Sequence, residues 1–345
     1  MRRLVELQEV VAPATLVVAA ALLGTAVSQS TQTYFTDALV KVAIVVALYV
    51  FIGNSGVLSF GHISFVAVGA WTAGVLSVPA AEKPAIMPNL AHFLVHRTVG
   101  NITSLVLAAV VAGVFALLVG VPLMRLSGLA AGIATFGVLE ITHNLLRYEE
   151  RIGPGLNAFS SVPETTGLRQ AALGALAAVI VAFAYARSRF GRLLRATRED
   201  NAAARAIGAS VYSQRLIAFT VSGLLAGLAG GLYVHLLPVQ TESVYLDLTF
   251  ITLAMLVVGG SGSLLGAVVG TLALNGIYSF FSAATNGVDV FGWNLKVPSG
   301  TAEIVLGTLM AVVLILRPNG LTGSRELSLP RRRAVVDLEK ARVTT

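Results

Sequence analysis

The stretch 187-RSRFGRLLRATREDNAAARAIGASVYSQR-215 decides how the chain is read. It is a polar island between two apolar runs. It holds seven arginines (Arg187, Arg189, Arg192, Arg195, Arg198, Arg205 and Arg215) against Glu199 and Asp200, a net charge of +5 out of +7 for the whole sequence. Short basic loops resist translocation, so in a membrane protein this one lies in the cytoplasm. Thr197-Arg198-Glu199-Asp200 resembles a capping box, the residues after it are rich in alanine, and Gly208 suits the left-handed position that follows a helix. The island reads either as a short, capped cytoplasmic helix offered to a soluble partner, or as a topogenic loop with an incidental helical turn.

Composition supports the membrane setting. Of 345 residues 56% are hydrophobic and 12% charged, whereas a soluble domain carries about 25% charge. The apolar runs are built from Ala, Val, Leu and Gly, and 34 glycines suit helices that pack closely in lipid. The absence of cysteine excludes disulfides and thiolate metal sites. The five histidines, at 62, 92, 96, 143 and 235, form no metal-binding pattern, so no metal is expected. The basic excess flanks apolar runs, which points to lipid headgroups and topology rather than to nucleic acid.

Outward from the island, the apolar runs predict ten membrane or half-membrane helices in an all-α polytopic protein with both termini cytoplasmic. They are expected over 10–27, 38–52, 57–78, 102–121, 128–146, 171–186, 216–236, 247–258, 264–281 and 302–316. Arg2 and Arg3 before the first run are also compatible with a signal peptide, but Glu6 and Glu9 favour a retained helix. Lys41 is expected to snorkel near an outer helix end. The run 247–258 is short and ends in Gly259-Gly260-Ser261-Gly262, like a broken transport helix. The division is a permease domain over 1–323, with 187–215 as its cytoplasmic loop, and a basic tail over 324–345 that is expected to be disordered.

Several residues are candidates for chemistry. Gly223, Gly227 and Gly231, and likewise Gly262, Gly266 and Gly270, recur at a spacing of four, which lets helix backbones approach. Gly259, Gly260 and Ser261 look superficially like a phosphate loop, yet no P-loop pattern occurs in the chain; if ATP drives the protein, another subunit binds it. Ser59 and His62 sit at a break before the third run, either as a cap and carbonyl partner or in contact with a solute. Glu140 stands in an apolar run with His143 and Asn144 close by, either lining a path or buried and paired.

Six ordered runs carry a resemblance. They are Gly56-Val-Leu-Ser-Phe-Gly-His62 with its continuation to Trp71, Thr135–Glu140, Gly191–Gly208, Ala218–Tyr233, Gly259–Ser263 with Gly266, and Leu316–Gly323. Together they resemble the branched-chain amino-acid permease family of ATP-binding-cassette importers, in its M-type (LivM-like) branch, over roughly residues 38–323. The sequence departs from that pattern at Gly153-Pro154-Gly155-Leu156-Asn157, at Ala267, where proline is usual, and at Trp71, where tyrosine is common.

The resemblance implies a multi-pass protein of the cell (inner) membrane, itself no enzyme. It would pair with an H-type permease, two ATPase subunits that bind ATP and magnesium, and an external substrate-binding protein. Arg195, Arg198, Glu199, Asp200, Ala203, Ala204 and Gly208 would form the ATPase-coupling element. Ser59, His62, Glu140, Gly259, Gly260 and Ser261 are the candidates for the translocation path of a branched-chain amino acid or a related small polar solute such as urea or an amide. The rival reading is a self-sufficient secondary transporter or channel working through Glu140 and His62.

Overall fold

The computed structural model describes residues 2–323 apart from 207, 286, 291, 292 and 318; the basic tail expected over 324–345 lies outside the described residues. In chain order the helices are α1 (Arg2–Thr25), α2 (Gln29–Ser55), α3 (His62–Ser77), α4 (Lys83–Ile86), α5 (His92–Val95), α6 (Asn101–Leu123), α7 (Gly128–Tyr148), α8 (Leu168–Arg187), α9 (Arg189–Glu199), α10 (Asn201–Ala206), α11 (Val211–Val234), α12 (Leu246–Gly259), α13 (Leu264–Thr285) and α14 (Thr301–Leu316). An antiparallel hairpin, β1 (Val288–Val290) with β2 (Trp293–Leu295), joins α13 to α14. Among the described residues seven helical segments are long and apolar enough to cross a membrane, and three shorter apolar ones join them. The ten segments are those expected, in an all-α polytopic protein.

Hydrogen bonds and ion pairs sort the connections onto two faces. On one, Arg187 pairs with Glu9 at 2.6 Å, Arg198 donates to the Gly53 carbonyl, Arg215 donates to the Leu126 carbonyl, and the Leu321 amide donates to Val258. This face gathers the start of the chain, the end of α2, the α6–α7 turn, the arginine island and the segment after α14. On the other, amides of Ala91, Val99, Phe159 and Thr166 donate to carbonyls of Arg151, Leu76, Val239 and His235. The basic island identifies the first face as cytoplasmic. Lys83, wholly buried in the outer layer, donates to the Leu94 and Arg97 carbonyls and so closes off α5. Burial holds its ammonium below the ordinary lysine range.

The centre of the bundle is α11, which packs on α6, α3 and α2. Lipid tails are as apolar as leucine, so helices in a bilayer gain little from burying side chains against each other and rely on close backbone approach. Gly223, Gly227 and Gly231 lie against Ala116, Ala112, Ala108 and Leu105 of α6. On the α3 side, a Cβ at Gly69 would fall 2.2 Å from the Gly227 carbonyl oxygen, and one at Gly230 would fall 2.0 Å from that of Val66. Backbone touches backbone at both points, and no side chain is there to yield.

Among the boundaries that differ from expectation, two have a plain physical reason. Helix α2 begins at Gln29, not near residue 38, because its polar first turns are satisfied from within: Thr36 donates to the Gln32 carbonyl and Asp37 pairs with Lys41. Helix α3 begins at His62, since Gly56 at φ +69° ends α2 and residues 57–61 run without helix. Replacing Gly230 with valine is expected to cost about 1–3 kcal/mol through overpacking and to lower the unfolding temperature in detergent. Gly137→Ala, at a helical site with nothing near, should leave that temperature unchanged or raise it.

Candidate functional site

The arginine island folds as two helices. Ser188 caps α9, accepting from the Gly191 amide at 3.2 Å. Asp200 caps α10, its Oδ1 accepting from the amides of Ala202 at 2.8 Å and Ala203 at 3.0 Å. Those amides hold its carboxyl below the usual carboxylate range. The capping box expected at Thr197 is not formed. Because α9 continues through Thr197, its buried hydroxyl donates back to the Leu194 carbonyl, as a mid-helix threonine does. Gly208, at φ +82°, takes the left-handed position after α10.

Arg195 donates to the Ala186 carbonyl and Arg198 to the Gly53 carbonyl, each at 2.7 Å. Both guanidinium groups therefore sit on carbonyls at the ends of this chain's own helices, where the dipole favours a cation. Ala204 is buried against the bundle, whereas Glu199, Ala203 and Gly208 are exposed. Helix α10 packs on α9 and lightly on α11, so most of its surface is open on the cytoplasmic face.

A second polar site lies toward the outer end of α7. Glu140, about 18 Å along the helix at ~1.5 Å per residue, is exposed. Asn144 donates to its Oε1 at 2.7 Å, and Tyr245 donates to its Oε2. His143 stacks on Tyr245 with ring centroids 3.8 Å apart and an interplanar angle of 14°. One turn further out, Arg147 pairs with Glu242 at 2.7 Å. A carboxylate at membrane depth facing acyl chains is costly, so this face meets water or another protein. Sequence reading found Glu140, His143 and Asn144 but missed their site partners Arg147, Glu242 and Tyr245, because Glu242 and Tyr245 lie 95 and 105 positions from the α7 residues they bond.

The other expected path residues lie elsewhere. His62 is 1% exposed, its Nδ1 is 2.7 Å from Ser59 Oγ, and Phe51, Phe65 and Phe219 surround its ring. Gly259 and Gly260 are buried where α12 crosses α13, and a Cβ at Gly259 would fall 2.0 Å from the Gly266 carbonyl oxygen. Gly270 packs on the same crossing, Ser261 and Gly262 form the turn between the helices, and Thr322 donates to the Gly259 carbonyl at 2.9 Å. Trp71 and Gly153, two departures from the resembled pattern, touch: a Cβ at 153 would lie 2.6 Å from Trp71 Nε1.

Lys41 is not a snorkelling residue. It is 6% exposed, pairs with Asp37 at 2.7 Å, donates to Asn275 Oδ1 at 3.0 Å and lies over the Tyr278 ring. With α2 beginning at Gln29, Lys41 sits three turns into the helix, too deep to reach a headgroup.

Fold and site define the class: a multi-pass helical membrane protein with a capped cytoplasmic helix and a polar patch at membrane depth. The chain belongs to the family described as branched-chain amino acid transport system / permease component, whose model matches residues 30–314. It is 27% identical over 330 residues to the high-affinity branched-chain amino acid transport system permease protein LivM of Escherichia coli K12, covering 86% of this chain and 70% of that one. It is also 27% identical over 217 residues to the autoinducer 2 import system permease protein LsrC of Escherichia coli O157:H7, covering 58% and 59%. A probable LivM of Methanocaldococcus jannaschii is 26% identical over 152 residues, 41% of this chain. No solved structure matches the chain.

Two predictions follow from the charged groups. Lys41→Met or Asp37→Asn alone strands a buried partner and should cost about 3–5 kcal/mol, with the double variant milder than the sum, as read in a double-mutant cycle of unfolding. Asp200 has a lowered folded-state pKa, so its cap is complete above the ordinary carboxylate pKa and is lost as pH falls through the lowered value. The protection of the Ala202 and Ala203 amides relative to their intrinsic exchange rates should therefore fall only in acid, and Asp200→Ala should remove that protection at neutral pH.

Proposed function

We propose that the chain is the transmembrane permease subunit of an ATP-binding-cassette importer, forming half of a translocation path for a branched-chain amino acid or a related small polar solute such as urea or an amide. The observation that carries this reading is α10, a helix capped by Asp200, ended by Gly208 and left open on the cytoplasmic face. A secondary carrier needs only basic charge there, whereas an ATPase groove needs a defined helix with small side chains. One of the two ATPase subunits seats on this helix, and the pair holds ATP with its magnesium; this chain is not catalytic. An H-type permease covers the α7 face, and Glu140 supplies a carboxylate to the ammonium group of a zwitterionic solute. An external binding protein delivers the solute to the outer layer. Closure of the ATPases moves α10 and, through Arg198, the end of α2.

Co-purification with the candidate ATPases tests the reading. Glu199→Ala with Gly208→Val should lose them while the membrane domain stays folded, since valine is strained at φ +82°. Glu140→Gln should keep them and lower transport in the reconstituted complex. Solute movement by this chain alone in proteoliposomes would overturn the proposal in favour of a secondary carrier.

A further inference from the structure

A cytoplasmic cavity of about 550 Å³ lies between the α6–α7 turn, α10 and the start of α11, lined by Met124, Arg125, Ser127, Asn201, Arg205, Val211, Tyr212 and Arg215. Three guanidinium groups face it, and no carboxylate lines it. Among the described residues no ion pair involves Arg125, Arg205 or Arg215. Arg215 donates one Nη1 bond to the Leu126 carbonyl at 3.3 Å, and its Nε is buried without a hydrogen-bond partner. Gathering three like charges, one of them with a buried unpaired N–H, is costly unless an anion completes the site.

The setting identifies the anion. Val106, Val110, Val114, Leu117, Leu118 and Val121 are exposed along α6. Such an uninterrupted apolar stripe on a spanning helix is an acyl-chain surface. It ends one turn from Met124 and Arg125, and Tyr212 Oη donates to the Val121 carbonyl at 3.2 Å, placing an amphipathic ring at the rim, where aromatic residues sit at headgroup level. We infer that this cavity binds the headgroup phosphate of a cytoplasmic-leaflet phospholipid, whose acyl chains lie along the α6 stripe. Arg205 and Asn201 come from α10, so the bound phosphate ties that helix to the leaflet. The site stands on the cavity and its charges, and does not need the ATPase role of α10.

Native mass spectrometry of the full-length chain in mild detergent, titrated with phosphatidylglycerol and with a glucosyl-diacylglycerol of the same acyl chains, tests the site. The wild type should retain phosphatidylglycerol in preference to the phosphate-free lipid. Arg205→Gln and Arg125→Gln, both at exposed side chains that no fold contact requires, should each weaken retention about fivefold, near 1 kcal/mol per basic residue at a membrane surface. Arg205→Lys should keep most of it, and Arg192→Gln, outside the cavity, all of it. Equal retention of the two lipids, or wild-type retention by the Arg125→Gln, Arg205→Gln double variant, would overturn the inference. So would displacement of phosphatidylglycerol by millimolar inorganic phosphate, which would make the ligand a free anion, or by an added ATPase subunit, which would make it a protein carboxylate.

Discussion

The structure depends on how closely two helix backbones can approach where no hydrophobic drive pushes them together. In a bilayer the solvent is as apolar as the side chains, and association rests on packing and on hydrogen bonds. Helix α11 meets that constraint on both flanks, through Gly69, Gly227 and Gly230 toward α3 and through Gly223 and Gly231 toward α6. Its third neighbour is held by Ser222, which donates to the Ala47 carbonyl of α2 at 2.6 Å. Once α11 is fixed, α3 is fixed, and with it the non-helical entry over 57–61. The amide of Phe60 in that entry is held by Thr135 Oγ1 of α7 at 3.2 Å, which carries the constraint out to the helix bearing Glu140.

Charge is distributed by the same logic. Three buried groups find partners inside the protein: Lys41 in Asp37 and Asn275, Lys83 in two carbonyls, and His62, through Nδ1, in Ser59. Glu140 is also answered, by Asn144 and Tyr245, but it stays exposed. A group that is solvated by its neighbours and still open is suited to receive something, whereas a fully enclosed one is suited to hold helices together. That contrast separates Glu140 from His62, although both stood as candidates for the translocation path on sequence alone.

Much of this was legible in the sequence. Apolar run length marked the ten segments, arginine placement marked the cytoplasmic face, and four-residue glycine spacing marked the α11 stripe. What was not legible required knowing which helices touch. Lys41 reads as a helix-end residue until Asn275, 234 positions away, is placed beside it. Gly69 and Gly230 belong to no four-residue ladder of their own and become significant only at the α3–α11 crossing. Thr197 reads as the head of a capping box, whereas Asp200 is the cap, and the deciding fact is how far α9 runs: it is held by Ser188 and by Arg195 on the Ala186 carbonyl. The departures at Trp71 and Gly153 looked independent and are one contact.

The clasp of Arg198 on α2 has a mechanical side. The guanidinium holds the Gly53 carbonyl, and its stem lies 3.1 Å from where a Cβ at Gly56 would be, so a side chain there would jam the joint. Helix α2 spans Gln29–Ser55 with no proline in it, about 40 Å of continuous hydrogen-bonded backbone at ~1.5 Å per residue. Such an element does not fold at its middle; it tilts or slides as a unit. Any displacement of Arg198 would therefore act on a rigid rod, and the Lys41–Asp37–Asn275 cluster ties that rod to α13 near its midpoint.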